Sequence, residues 1–282
     1  MDIRILATES FGVRSFCTFV KTKDVKIIID PGCALGPDRF NLPPHRLEVE
    51  SLWECWQKIN EHLKESDIAI ITHYHYDHHH YCNAYLYEDK ILLVKDFSNI
   101  NTMQRRRAEK FIKELKSPKS IIPADGKSFR FGETEIQFTP ALSHGYGRED
   151  IKVIGVYIKE DDESVFHTSD ISGVIEDSLF GFLKRRQIST LIFDGFPLYL
   201  KGSVLKNKWF VESLKRLEHL IDICGIKNLI IDHHSSRISD WKKFYEKILN
   251  HRGLSFAGTA AEFYRTEPKY LESMRRALFS KE

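Results

Sequence analysis

What most constrains the fold is a pattern that runs twice along the chain: a β-rich stretch, then short apolar strands alternating with helices. IRILA, SFCTFVKT and VKIIID read as strands, with the turn Lys-Thr-Lys-Asp at 21–24. VESLWECWQKINEHLKE comes next, with Leu52, Trp53, Trp56, Ile59 and Leu63 at helical spacing, so both tryptophans are expected in the core; DIAIIT after it is a short buried strand. Beyond ILLV and a basic helical stretch from Thr102 to Lys116, the second round opens with SIIPA, SFRF and TEIQFTP. A hairpin over 151–168 turns at Asp161-Asp162. Helices are then expected near Ser172–Arg186, over VLKNKWFVESLKRLEHLIDIC and over SDWKKFYEKILN, separated by the strands TLIFDG and NLIID, with a last helix at about Pro268–Phe279 on the outside. No linker, low-complexity tract or sequence repeat divides the chain, so one domain over residues 1–282 is expected, with two sheets covered by helices on their outer faces.

Bulk composition excludes more than it identifies. Lys and Arg number 42 against 40 Asp and Glu, a net charge of +2 that announces neither nucleic acid nor an anionic membrane. Cys17, Cys33, Cys55, Cys82 and Cys224 are odd in number and hold no C-x-x-C pair, which argues against a disulfide framework or a cysteine zinc site. With no long apolar run and no signal-like start in MDIRILATES, a soluble cytoplasmic protein with no membrane partner is expected.

THYHYDHHHY, Thr72 to Tyr81, holds five of the thirteen histidines. His73 and His75 alternate with Tyr74 at the end of a strand and so point the same way, while Asp77 and His78 lie on the turn beyond. Imidazole and carboxylate suit zinc and other first-row divalent ions. His79 and His80 are expected to be exposed or to support the ligands rather than to bind directly. Further ligands are available after later strands: His144 in TPALSHGYG, Asp170 in VFHTSDISG, and His233 or His234 in NLIIDHHSSR. The plainer readings are that His144 caps a loop and Asp170 caps the helix after it.

In order along the chain, Asp30 in IIIDPG, the H-x-H-x-D-H of 73–78, His144, Asp170 and His233 resemble the five motifs of the metallo-β-lactamase superfamily. More closely, ESFGVRSFCTFV, HYHYDHH and IIDHHSSR resemble an uncharacterised, largely archaeal family of metallo-hydrolases within it. The resemblance implies an α/β four-layer αββα sandwich of two mixed sheets flanked by helices. It implies two divalent ions, zinc first, with manganese or iron as alternatives. His73, His75 and His144 would hold one ion, Asp77, His78 and His233 the other, and Asp170 would bridge them. Asp30 would orient ligands without touching an ion. His233 rather than His234 takes the ligand place because IIDHHSSR resembles the THFSSR of the transfer-RNA 3′-end-processing endonucleases; His234 would then face the substrate.

Such a centre implies a hydrolase in which a hydroxide shared by the ions attacks a phosphorus or carbonyl carbon. Asp77 doubles as a proton carrier, and His234 or Tyr146 would protonate the leaving group. A small-molecule or nucleic-acid phosphodiester is the expected substrate; a lactone or thioester is the alternative, as is a nucleic-acid-binding protein with a structural metal site. The phosphate reading leans on Arg105, Arg106, Arg107, Lys110, Lys113, Lys116 and Lys119, although this helix also has apolar residues to dock it, and on Arg237 beside the last motif. A second His in H-x-H-x-D-H, where the oxygen-reducing branch has Glu, argues against diiron redox chemistry. Tyr76 is placed at the pocket mouth and Gly145, Gly147 and Gly173 in turns beside ligands; Asp194 ends a strand where it could lie near the site, with a turn or helix cap as the preferred reading.

Overall fold

The computed structural model describes residues 1–79, 81–145, 150–200 and 207–281. A six-stranded sheet is formed in sequence order by β1 (Asp2–Thr8), β2 (Phe16–Lys21), β3 (Lys26–Ile29), β4 (Ile68–Ile71), β5 (Ile91–Val94) and β6 (Ser120–Pro123). Its first three strands pair antiparallel and the rest parallel. The second sheet contains β7 (Ser128–Phe131) and β8 (Thr134–Phe138), then, after the short ribbon of β9 (Leu142–Ser143) and β10 (Lys152–Val153), β11 (Val156–Glu160), β12 (Glu163–His167), β13 (Thr190–Phe193), β14 (Asn228–Ile231) and β15 (Phe256–Gly258). Its order is β15-β14-β13-β12-β11-β8-β7, and again an antiparallel part leads into a parallel one.

Three separate apolar clusters show the four layers. Ile27, Ile29, Ile68 and Ile70 of the first sheet meet Ile136, Val165, Ile192 and Ile230 of the second between the sheets. The alternate residues Ile28, Ala69 and Ile71 face outward onto α1 (Arg46–Glu65) and α2 (Thr102–Glu114) through Cys55, Ile59, Leu63 and Phe111. Leu191, Phe193, Leu229 and Ile231 face the other side. They pack on α3 (Asp177–Leu183), α4 (Asn207–Cys224) and α5 (Lys242–Leu249). Strands covered on both faces have to be apolar throughout, which is why these runs read as continuous rather than alternating. Each fully buried Ile contributes roughly 1.5–3 kcal/mol.

Three local differences from the sequence reading have physical causes. α3 begins at Asp177 rather than near Ser172, because Ser172 and Gly173 have φ of 57° and 109°, outside any right-handed helix. The last helix is only α7 (Arg275–Phe279), after the short α6 (Ala260–Phe263). Arg275 is fully buried, where it forms a double hydrogen bond with Glu48 at 2.7 and 2.8 Å and donates to the carbonyls of Leu42 and Gly36. Trp53 is 66% exposed and not core, whereas Trp56 packs, partly buried, beside Cys55, Ile59 and Leu63 on the face of α1 turned to the sheet. No helix among the described residues is long and apolar enough to cross a membrane.

The parallel strands position the site. β3, β4, β12, β13 and β14 run out at Asp30, Thr72, Thr168, Asp194 and Asp232 respectively, and ligand sites of α/β sheets form at such carboxyl ends.

Candidate metal centre

The histidine turn is hung from Asp30. One oxygen of Asp30 accepts the Thr72 amide at 2.8 Å; the other accepts the Thr72 hydroxyl at 2.6 Å and lies 2.9 Å from His78 Nδ1. Tyr74 points away from the site, is buried, and donates its hydroxyl to the Lys95 carbonyl, which leaves the residues on either side of it to share the opposite face. His73 Nε2 and His75 Nδ1 accordingly lie 3.0 Å apart. Gly32 makes the close approach possible: a Cβ there would stand 2.2 Å from the His79 backbone nitrogen.

Asp170 lies at the centre, and its two oxygens face different histidines. Oδ1 is 3.2 Å from His78 Nε2 and 3.0 Å from His233 Nε2; Oδ2 is 3.0 Å from His144 Nε2 and 3.6 Å from His73 Nε2. Ligand atoms of His73, His75, His144 and Asp170 all fall within 4.8 Å of one another, as do those of Asp77, His78 and His233. The seven residues expected as ligands are thus brought together. His144 arrives beside the β9–β10 ribbon, which is tied to the histidine turn by the Ile154 amide donating to the Thr72 carbonyl.

The donor set fits divalent ions. His78 Nε2 and Asp170 Oδ1 are buried without a hydrogen-bond partner among the described residues, which is costly for polar atoms unless an ion uses them. The far nitrogens, in contrast, are engaged. His78 Nδ1 meets Asp30, His233 Nδ1 meets Glu9 at 2.7 Å and His234 Nδ1 meets Asp194 at 2.9 Å. A carboxylate on Nδ1 fixes the tautomer and leaves Nε2 free for a metal. Nitrogen and oxygen donors of this kind suit zinc, manganese or iron.

The electrostatics divide the cluster. Burial and His78 push the His73 pKa well below its ordinary value, and burial with His144 beside it brings His75 down to about 3. Burial also opposes charge on His78 and His233, but Asp170 with Asp30 outweighs it at His78, and Asp170 with Glu9 holds His233 up at about 9. For Asp170, burial is overcome by His233 and His78, which keep the carboxyl well below its usual range; for Asp77 it is overcome by His78 and His75. Four residues around the cluster also hold strained backbone, with φ of 49° at Asp30, 55° at Ser169, 57° at Ser172 and 70° at His233.

Around this cluster stand the other residues expected at the site. Asp30 holds the Thr72 amide and faces His78 Nδ1. His234 Nε2 lies 3.4 Å from Asp170 Oδ2, and the residue lines a cavity of about 460 Å³ together with Asp77, His75, His144 and Tyr76. Arg237 lines the same cavity, held by Glu9 at 2.7 Å and with Nη2 3.8 Å from Asp77. His79 is buried rather than exposed and its Nδ1 engages the His75 carbonyl at 2.9 Å. Asp170 caps no helix, since Glu176 precedes α3. Tyr146, Gly147 and His80 lie outside the described residues.

Two carboxylates stand behind histidines of the site, one only half-read in the sequence and one missed. Asp194 is not a helix cap: it is fully buried, bonded to His234 and to the Ser172 amide. Glu9 carries only one signal, its position as an acidic residue within the ESFGVRSFCTFV segment.

A family model described as a β-lactamase superfamily domain matches residues 26–199. UPF0282 proteins of Sulfurisphaera tokodaii and Sulfolobus acidocaldarius are 41% and 40% identical to this chain, with all of it and 94% of each relative aligned. Among solved structures, a possible metal-dependent hydrolase from Veillonella parvula (TM-score 0.53, 13% identity, 90% of this chain and 94% of that one) shares the fold. So does the metallo-β-lactamase fold protein YhfI of Bacillus subtilis (TM-score 0.53, 13% identity, 87% and 88%). A third is an isothiocyanate hydrolase from Delia radicum gut bacteria (TM-score 0.52, 14% identity, 86% and 93%). The chain belongs to the UPF0282 family, within the β-lactamase superfamily.

Proposed function

We propose that this protein is a metal-dependent hydrolase that holds two divalent ions, zinc first, and cleaves a phosphodiester or related ester. The observation that carries the reading is the division of Asp170, with Oδ1 turned to His78 and His233 and Oδ2 to His73 and His144. His73, His75 and His144 would hold one ion, Asp77, His78 and His233 the other. When bound, such ions supply Lewis acidity and make water a stronger acid near neutral pH. Solved proteins of this fold that carry the names isothiocyanate hydrolase and possible metal-dependent hydrolase agree with the reaction class.

The chain's own groups do the remaining work. Asp77 lines the cavity within 3.8 Å of Arg237 and is placed to accept a proton from the attacking water. His234, held at Nδ1 by Asp194, presents Nε2 towards the cavity side of Asp170, where it would pass a proton to a leaving group. Arg237 is steadied by Glu9 and Tyr199 and stands where a substrate oxyanion would lie.

The test is turnover of bis(p-nitrophenyl) phosphate, a lactone and a thioester by zinc- or manganese-loaded protein. Phosphodiester hydrolysis that a chelator abolishes, and that falls at least about a hundredfold in His75→Ala and Asp170→Ala, supports the reading. Turnover of only the lactone or thioester would replace the substrate class; no turnover of any would remove the hydrolase.

A further inference from the structure

The cavity above the candidate metal centre is lined by three arginines, and two of them already have a carboxylate partner. Arg14 forms a double hydrogen bond with Glu272 at 2.6 and 2.7 Å, and Arg237 is bound to Glu9. Arg107, on α2, makes neither an ion pair nor a hydrogen bond with any described residue. It is half-buried and stacks over the ring of Tyr76, 4.7 Å from its centroid. Tyr76 is the residue between the candidate ligands His75 and Asp77, so the stack fixes the cation relative to the turn that would hold the ions.

A second pair extends this arrangement away from the cavity. One helical step along α2, Lys110 lies 3.9 Å over Tyr81, whose ring is 5.2 Å from that of Tyr76. The rest of the basic stretch does not share the position: Arg105 and Arg106 are exposed, with Arg105 donating to the Ser98 carbonyl. α2 is docked on the sheet through Ala108 and Phe111, so only its Arg107 edge reaches the cavity. A partly desolvated cation that has an aromatic support but no counter-charge among the described residues is open to a further partner, since a planar guanidinium pairs bidentately with an arriving carboxylate or phosphate.

We infer that Arg107, supported by Tyr76, is a specificity residue that selects small substrates carrying a second oxyanion, a carboxylate or a phosphate, apart from the group being hydrolysed. This rests on the proposed hydrolase and narrows its substrate to a doubly anionic small molecule. A long polyanion would need a continuous cationic track, whereas here a single free guanidinium enters the cavity among the described residues.

The experiment measures binding by calorimetry to metal-loaded protein, using alkylphosphonates with two, three or four methylenes that end in methyl, carboxylate or phosphonate. The ion content of each sample is determined in parallel. The expected result is at least about tenfold tighter binding of a carboxylate- or phosphonate-ended ligand than of its methyl-ended partner, at one chain length or more. The two acidic ends show which oxyanion is preferred. In Arg107→Gln that advantage disappears, and in Arg107→Lys it is only partly restored. Equal affinities in the wild type, or an advantage that survives Arg107→Gln, overturns the assignment. Bound ions without any preference remove the role of Arg107 alone; a preference without bound ions leaves that role and removes the hydrolase.

Discussion

Glu9 and His233, 224 positions apart in the chain, meet at 2.7 Å between Oε2 and Nδ1. Glu9 is buried, and its other oxygen accepts Arg237 Nε at 2.7 Å, so one carboxylate orients both a candidate ligand and a cavity cation. Glu9→Gln keeps the shape and removes the charge. The expected outcome is metal affinity reduced roughly 10–100-fold, the usual cost of losing a carboxylate behind a ligating histidine. Competition with a chromophoric chelator measures it, and unchanged affinity would show that the contact does not serve the ion.

His234 and its partner Asp194 predict a different signature. The residue lines the cavity, and its neighbour His233 already faces Asp170 Oδ1. His234→Ala is expected to keep the ions while lowering kcat about 10²–10⁴-fold, the range for loss of a general acid. Parallel metal analysis and steady-state kinetics on a phosphodiester check this. Loss of one ion in the variant would make His234 a ligand instead.

Acid should destabilise the metal-stripped protein in part through His167. This residue is fully buried, its Nε2 donates to the Phe16 carbonyl at 2.9 Å, and burial lowers its pKa to about 4. An unfolded histidine takes up a proton near pH ~6.5, so the folded form is undisturbed above that value and loses stability as pH falls towards about 4. Between about pH 7.5 and 4.5 the contribution is about 2–3 kcal/mol. Denaturant unfolding at both values, for wild type and His167→Gln, should show the smaller decline in the variant. Equal declines would mean that His167 titrates normally.

Much of the architecture is legible in the chain because the physics that makes it is local. Strands such as Ile68–Ile71 are buried on both faces, so their apolar runs stand out, and the ligands come next because strand ends are where polar side chains become possible. Convergence of His73, His78, His144, Asp170 and His233 is suggested by their places at successive strand ends and made specific only through motif order in the resemblance. The features that stay hidden depend on long-range pairing. Glu9 shows its role only once β1 and β14 are placed, and Asp194 reads as a cap until the chain at 168–172 turns back through positive φ to meet it. The last helix is shorter and more deeply anchored than its pattern suggests for the same reason, because nothing in that pattern shows that Arg275 has Glu48 as a buried partner.

The central claim is that Asp170 joins two cation sites. Its most direct measurement is the number of ions per chain, by plasma mass spectrometry after equilibration with zinc and removal of excess. About two ions are expected in the wild type, about one in His144→Ala and none in Asp170→Ala. A wild type that holds one ion or none, or an Asp170→Ala variant that still holds two, would contradict it.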